Sequence, residues 1–213
     1  MASQVEICNL ALIRLGECKI TSLSDNSKGA ILLSSIWDLI KDEVLAAHSW
    51  NFAVVRAQLE AEATPPDWGY DFEYALPGDC LSFLGINDDP DIRYRLEAGV
   101  DGKLVICDEA TPINVMYVTA VDDPELFDPT FVNAMAWRLA AELAFPLTAD
   151  PKIMGGMMQL YLGTLNAAKA LDKVEDGPRE PETSPWIEFP QRGLTDARQT
   201  GKGIERRGPE EGS

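Results

Sequence analysis

Residues 28–52, KGAILLSSIWDLIKDEVLAAHSWNF, contain the pattern that decides the fold. Their apolar residues recur at steps of four and three, which places them on one face of a helix. The charged residues fall mostly outside this stripe, where we expect water to reach them. The stripe comprises Leu33, Trp37, Ile40, Val44 and Ala47, and the charged residues are Asp38, Lys41, Asp42 and Glu43. We predict that this helix is the central packing element.

The pattern changes after His48 to WNFAVV, a run that favours a strand over a helix. Trp50 and Phe52 are therefore predicted to anchor the chain where it turns. Trp37 within the helix and Pro77 further along are the other two predicted structural anchors. All four are expected to serve the fold rather than any chemistry.

Four helices are predicted in all, counting the central one as the second, and their ends carry clear signals. The first spans residues 4–15, buries Val5, Cys8, Leu12 and Leu15, and ends at Gly16, which tolerates the left-handed conformation. The candidate N-caps of the second are Ser24, Asp25 and Asn26, because their oxygens can accept hydrogen bonds from the first-turn amides.

The third and fourth helices each follow an Asp-Pro pair, at Asp128 and Asp150, in which Asp caps the helix and Pro suits its first position. Pro146 is expected to follow the end of the third helix. The predicted stripes are Val132, Met135, Leu139 and Leu143 in the third helix and Ile153, Met157, Leu160, Thr164, Ala168 and Leu171 in the fourth. Gly155 and Gly156 would let a neighbouring element approach closely.

Short strand-like runs fill the region between the second and third helices. Several alternate apolar and polar residues, and Gly, Pro or Asp bounds them all. The runs cover residues 71–76, 81–86, 92–96, 103–107 and 113–120, and residues 52–59 before them begin extended. We therefore predict an α+β, mainly α, fold: an antiparallel four-helix bundle, with a small antiparallel β-subdomain inserted between helices 2 and 3 and an extended C-terminal arm.

The predicted organisation has four parts. Residues 1–52 hold helices 1 and 2, residues 53–121 the β-subdomain, residues 122–173 helices 3 and 4, and residues 174–213 an extended or disordered arm. Prolines and charges dominate the arm, yet Trp186, Ile187 and Phe189 interrupt it. This apolar cluster is either a latch onto the chain's own body or a partner-binding site on another subunit.

Charge and cysteine usage limit the function classes. The net charge of -17 argues against binding nucleic acid or anionic membranes by surface attraction. The four cysteines include no C-x-x-C pair, and His48 is the sole histidine, so no zinc site is predicted. We expect the cysteines to be reduced and buried. We identify no secretory signal and no membrane span in the sequence.

No catalytic, cofactor-binding or metal site is predicted, so we expect no enzyme and no cofactor. His48 has no assignable nucleophile partner. The acidic pairs Asp42 with Glu43, Asp88 with Asp89 and Asp122 with Asp123 are common by chance among 35 acids. The turn at Asp88, Asp89 and Asp91 could hold a hard cation such as calcium, but its residues lack the EF-hand spacing.

Several segments together resemble the tail tubular protein A family of short-tailed phages, a head-to-tail adaptor family. They are ICNLALIRLGE at residues 7–17, ITSLSD at 20–25, SWNF at 49–52 and YALPGDCL at 74–81, the last resembling the family's Tyr-x-Leu-Pro-x-Asp-x-Leu step. The helices around residues 131–145 match in placement. The resemblance covers about residues 3–172.

The resemblance implies a structural virion protein without enzymatic activity. Such adaptors form rings, commonly of twelve subunits, between the portal protein and the tail nozzle, with tail fibres near by and DNA passing through the channel. The implied location is the tail connector of the virion, after synthesis in the host cytoplasm. The helices would build the ring wall, the β-subdomain would face a neighbour or the next tail component, and the arm would reach the portal or the adjacent subunit.

Two other functions stay open from the sequence. One is a virion-associated peptidoglycan hydrolase, by analogy with head-completion proteins, although no particular Glu or Asp can be assigned to it. The other is a non-viral acidic interaction domain that forms no ring. Clearing of a cell-wall suspension would favour the hydrolase, and a neighbouring portal gene would favour the adaptor.

Overall fold

The computed structural model describes residues 2–99 and 102–175, with side chains described as far as residue 171. Four helices flank six strands in the order α1, α2, β1–β6, α3, α4. The helices are α1 (Gln4–Leu15), α2 (Lys28–Ala46), α3 (Pro129–Thr148) and α4 (Pro151–Glu175). The strands are β1 (Val54–Leu59), β2 (Phe72–Ala75), β3 (Cys80–Ile86), β4 (Tyr94–Ala98), β5 (Lys103–Cys107) and β6 (Ile113–Thr119).

The strands form two antiparallel sheets of three. One has the order β1-β6-β3 and the other the order β2-β5-β4. Alternate residues of β6 face opposite ways, since the side-chain period of a strand is two. Ile113 and Val115 join Tyr74 and Val105 of the second sheet in a core between the sheets, whereas Val118 joins the core of the helices.

The predicted four-helix bundle is wrong, because the described part of the chain has a mixed α+β fold of four helices and two three-stranded antiparallel sheets. Helix α3 packs against each of the other helices, and α2 also contacts β3 and β6. A bundle needs four helices around one shared seam. Here the sheet of β1, β6 and β3 contributes Val118 to the helical core, and Val121 follows it there.

The central element is α3 rather than α2, which corrects a second prediction. Nine α3 side chains are buried, a wider face than the predicted stripe, and five of them are alanines that let neighbours approach. Within the predicted stripe of α3, Val132 is only half-buried. In α2, Leu33, Trp37, Ile40 and Val44 are buried as predicted, while Ala47 lies just past the helix end.

Helix ends were predicted with mixed success. The bounds of α1 and the left-handed Gly16, with φ 76°, are confirmed. The cap of α2 is Ser27, whose Oγ accepts from the Ala30 amide at 3.2 Å. Asp25 was the wrong candidate, because its carboxylate already accepts from the amides of Thr21 at 2.7 Å and Ser22 at 3.1 Å.

Pro146 lies inside α3 rather than after it. Pro146, in the last turn, has no N–H to donate to the Glu142 carbonyl four residues earlier, so the helix loses one backbone hydrogen bond there. That turn has side-chain support, because the Thr148 hydroxyl donates to the Ala144 carbonyl at 2.6 Å and the Lys28 ammonium donates to the Pro146 carbonyl. The helix therefore continues to Thr148 before Ala149 takes a left-handed conformation.

Candidate assembly surfaces

The predicted anchors Trp50 and Phe52 meet the start of α3. The Trp50 indole is buried, and its Nε1 donates to the Val44 carbonyl at 2.9 Å, which satisfies a carbonyl in the last turn of α2. The ring centroids of Trp50 and Phe52 each lie 5.2 Å from that of Phe131 in edge-to-face contacts. This aromatic junction fixes where the chain leaves the helices for the sheets.

The other two anchors lie elsewhere. Trp37 is buried in the helical core. Pro77 is half-buried between β2 and β3, where its carbonyl accepts from the Cys80 amide at 3.0 Å. The predicted partner-binding residues Trp186, Ile187 and Phe189 lie outside the described residues.

Lys41 is buried, contrary to the prediction that water reaches it. Its ammonium donates to the carboxylate of Asp122 and lies 3.7 Å from Asp42 Oδ1 and 3.8 Å from Asp38 Oδ1. Burial acts to lower the pKa of Lys41, but the hydrogen bond to Asp122 and the nearby carboxylates outweigh burial and raise it. The same bond lowers the pKa of Asp122. The cluster joins α2 to the segment that leaves β6.

Two arginines connect α3 to its neighbours. The Arg138 guanidinium donates two hydrogen bonds to the Glu43 carboxylate of α2, from Nε at 2.8 Å and from Nη2 at 3.0 Å. Arg14 of α1 lies over the Trp137 ring, with 3.6 Å from Cζ to the ring centroid, and donates to the Asn133 carbonyl at 3.1 Å. Burial lowers the pKa of Arg14 to about 10.

Helix α4 exposes several large apolar side chains. Met154, Leu160, Leu162 and Leu171 are each 43–56% exposed, although Leu160 and Leu171 were predicted to be core. The helix instead buries Tyr161, Leu165 and Ala168 against its neighbours. A Cβ placed on any of Gly155, Gly156 and Gly163 would meet no atom within 4 Å. By the helical period, Leu160 and Leu171 share one side of α4 with Gly156 and Gly163, whereas Leu162 projects from another side. We call the first of these sides the outer face, or α4 face.

A groove opens between the two sheets along β3 and β4, which are edge strands of different sheets. We call it the β3–β4 groove. It measures about 760 Å³, and its lining includes Leu81, Phe83, Leu96, Ala98 and Lys103. The Lys103 ammonium donates to the carbonyls of Cys80 and Leu81, each at 3.0 Å.

Residues 60–71, between β1 and β2, form what we call the Trp68 loop. Trp68 is 80% exposed, more than any other large apolar side chain in the described part of the protein. Glu60, Glu62, Asp67 and Asp71 are exposed in the same loop. An indole this exposed is unusual, since Trp is highly buried on average.

The residues that were considered for catalysis lie at different points of the fold. His48 follows α2, and its ring centroid lies 4.9 Å from that of Trp50. Asp42 belongs to the Lys41 cluster, while Asp123 Oδ1 accepts from the Glu125 amide at 3.0 Å. Asp88 and Asp89 lie in the turn after β3, where Asp89 accepts from the Asp91 amide at 2.9 Å. The three acidic pairs lie at separate points of the fold, on α2, in the turn after β3 and in the segment after β6.

The cysteines were predicted to be buried, and three of them are. Burial raises the pKa of the Cys8 thiol to about 12 and also raises those of Cys80 and Cys107. Cys18 is exposed, which corrects the prediction for that residue. Across residues 2–99 and 102–175, no group of three or more His, Cys, Asp or Glu side chains is placed to hold a metal ion. No helix in this part of the chain is long and apolar enough to span a bilayer.

Comparison of the sequence with models of protein families finds no match, and comparison with curated proteins finds none either. Function has to be argued from the surfaces. The α4 face and the Trp68 loop were both missed in the sequence. The spacing of Leu160 and Leu162, two positions apart, was the available signal, because residues two apart cannot both face one neighbour of a helix.

Proposed function

We propose that this protein is a head-to-tail adaptor of a tailed phage, a structural subunit that assembles into a ring, of about twelve copies in the family it resembles. The ring would join the portal protein to the tail nozzle and leave a channel for DNA. The observation that carries the proposal is the outer face of α4. Leu160 and Leu171, which lie on the same side of the helix, offer large apolar side chains to a partner that the described part of this chain does not supply.

The α4 face has the composition of a helix-packing surface. Burying an exposed leucine stabilises a complex by about 1.5–3 kcal/mol before the costs of association. Glycines allow a second helix to come close, at a cost of about 1 kcal/mol each in helix propensity. Three glycines on one exposed helix are therefore poorly explained by the stability of the single chain. In a ring wall, this face would pack on the next subunit.

The charge of the chain supports the same function. The net charge of -17 makes adhesion to the DNA phosphates unfavourable. A channel through which DNA slides benefits from weak contact with the backbone. Nozzle and fibre proteins would meet the ring on the side of the sheets, while the portal would meet the side of the helices.

Light scattering after size-exclusion chromatography tests the proposal. The purified chain is mixed with the portal protein of the same phage, over a range of salt concentrations. We expect a complex whose mass exceeds that of the portal by several subunits. Two separate species at every salt concentration would overturn the adaptor function.

A pair of surface variants links the result to α4. Leu160→Glu places a charge in the proposed contact, and we expect at least a tenfold loss of affinity for the portal-bound ring with an unchanged circular dichroism spectrum. Leu39→Glu is the matched control, because Leu39 is 72% exposed on α2. We expect it to assemble normally. Equal behaviour of both variants would remove α4 from the interface.

A further inference from the structure

We propose that two copies of this chain associate through their β4 strands, which pair antiparallel about a two-fold axis and join two three-stranded sheets into one. The inference goes beyond the adaptor function and does not rest on it. Successive subunits of a ring meet head-to-tail through two different surfaces, whereas this contact uses the same surface of both copies. It therefore describes how free copies of the chain associate.

Strand β4 is an open edge of its sheet. In the described part of the protein it pairs with β5 on one side only, and all five of its residues are exposed. Its pairing with β5 is regular, and it contains no proline. The opposite edge, β2, is partly occupied, because the Glu62 amide donates to the Glu73 carbonyl at 2.7 Å. A regular edge strand with unpaired backbone groups is a template for another strand.

Alternate residues of β4 direct their backbone N–H and C=O groups away from β5. The Gly99 amide donates to the Gly102 carbonyl at 2.6 Å, just beyond the strand ends, so these two residues form a hydrogen-bonded pair. Hydrogen-bonded and non-hydrogen-bonded pairs alternate along an antiparallel ladder. Counted back along the β4–β5 register, the residues whose backbone groups face the open edge are Tyr94, Leu96 and Ala98.

A hydrogen bond on the other side of β5 agrees with this pattern. Lys103 lies opposite Ala98 in the register, and its carbonyl accepts from the Leu76 amide at 2.9 Å, on the β2 side. The backbone groups of Lys103 therefore point away from β4. Since its pair with Ala98 is then non-hydrogen-bonded, the amide and carbonyl of Ala98 face the open edge.

The sequence of β4, YRLEA, is complementary to itself when two copies run antiparallel. With Leu96 opposite Leu96 of the second copy, Arg95 lies opposite Glu97 and Glu97 lies opposite Arg95. These two residues share one face of the strand, where Arg95 Nε lies 3.7 Å from Glu97 Oε1. In the new ladder they occupy non-hydrogen-bonded positions, where facing side chains come closest. The four charges then alternate in sign.

Charge also selects this register over its neighbours. The outward backbone groups must face each other, so the register can change only in steps of two residues. One such step places Arg95 opposite Arg95 of the second copy, and the step in the other direction places Glu97 opposite Glu97. Like charges directly opposite are destabilising. The register centred on Leu96 is therefore the favoured one.

The inner face of β4 leaves space for the second strand. Leu96 lies on the same face as Val105, its partner in β5, yet Val105 is buried while Leu96 is 45% exposed. The β3–β4 groove adjoins this edge, and its lining includes Leu96 and Ala98. In the joined sheet, Leu96 of the second copy would cover Leu96, and its Tyr94 would lie beside Ala98. Apolar side chains that a single copy leaves in water become buried.

The proposed interface is small, which sets the conditions of the test. Stable interfaces bury about 800 Å² per partner, more than one pair of short strands provides. We therefore expect a weak dimer that dissociates on dilution. Sedimentation equilibrium of the purified full chain over a concentration series measures it, and we expect a mass that rises from one chain towards two.

Charge reversals on β4 test whether this strand forms the contact. Arg95→Glu places two carboxylates opposite each other, and Glu97→Arg places two guanidinium groups opposite each other. We expect each variant alone to self-associate on the order of tenfold more weakly, with an unchanged circular dichroism spectrum. Glu97→Arg also brings the net charge of -17 nearer to zero, so general repulsion between copies predicts the opposite result for it. Arg56→Glu, an exposed reversal on β1, is the matched control and should dimerise like the wild type.

Mixing the two β4 variants tests the register. An equimolar mixture of the Arg95→Glu and Glu97→Arg chains again places opposite charges against each other, and we expect its mass to rise towards two chains as for the wild type. A wild-type chain that stays monomeric at every concentration overturns the inference. A dimer that neither β4 variant weakens also overturns it, as does a mixture that associates no better than the separate variants.

Discussion

At the scale of single residues, Trp50 does two jobs in one position. Its ring packs edge to face against Phe131, and its indole N–H satisfies the Val44 carbonyl of α2. A helix leaves its last carbonyls without backbone partners, and a buried one needs a donor. Trp50 therefore serves as the C-terminal cap of α2 as well as a core residue.

Substitutions at Trp50 separate these roles. Trp50→Phe retains a buried ring but leaves the Val44 carbonyl without that donor, so we expect a loss of about 1–3 kcal/mol in the free energy of unfolding. Trp50→Ala also removes the ring, with an expected loss of about 3–5 kcal/mol. Trp68→Phe is the control and should change stability by less than about 0.5 kcal/mol. Denaturant unfolding measures all three, and equal losses for Trp50→Phe and Trp68→Phe would contradict the capping role.

Sequence patterns identified buried residues but not what polar residues do inside the protein. The spacing of Leu33, Trp37, Ile40 and Val44 placed them correctly because burial follows the helical period. Lys41 was predicted to be exposed to water, because no residue near it in the sequence indicates its hydrogen bond to Asp122, 81 positions later. Partners distant in sequence are set by the tertiary fold, and no local rule supplies them.

At the scale of the elements, several neighbouring polar residues could cap the start of α2, and one of them does. Four polar residues, 24 to 27, precede the helix, and the sequence alone gave Ser24, Asp25 and Asn26 as candidates. Ser27 takes the position because Asp25 binds the amides of the preceding turn. Removal of the correct cap should therefore matter more than removal of a neighbour.

Paired alanine variants test that difference. Ser27→Ala deprives the Ala30 amide of its acceptor, and we expect a loss of about 1 kcal/mol in the free energy of unfolding. Ser24→Ala changes the same chemical group three residues earlier and should lie within about 0.5 kcal/mol of the wild type. Thermal or urea unfolding of both variants gives the comparison. A larger loss for Ser24→Ala would mean that the helix begins elsewhere.

The strands were easier to predict than the way they pack. The five predicted runs correspond to β2–β6 within two residues at each end, because Gly, Pro and Asp mark most of their limits, and the extended segment at 52–59 contains β1. Alternation within one strand does not say which sheet it joins. The division into β1-β6-β3 and β2-β5-β4 depends on pairings up to some sixty residues apart, so the second sheet and its groove were not foreseen.

At the scale of the whole molecule, three helices surround α3 and a pair of sheets completes the core. The sequence predicted the number and order of helices but gave them the wrong arrangement. A bundle and an α3-centred fold use similar amphipathic helices, and the wider apolar face of α3 is the difference between them. In α4 the predicted stripe merged two faces, one buried and one exposed, and so concealed the surface on which the proposed function depends.

We propose that copies of this chain assemble on a portal through surfaces with no catalytic role. Electron microscopy of the chain mixed with its portal protein tests this most directly. We predict class averages in which each portal carries one additional ring, with a fixed number of subunits and an open central channel. Portal particles that carry no added ring, at concentrations where both proteins are abundant, would contradict the account.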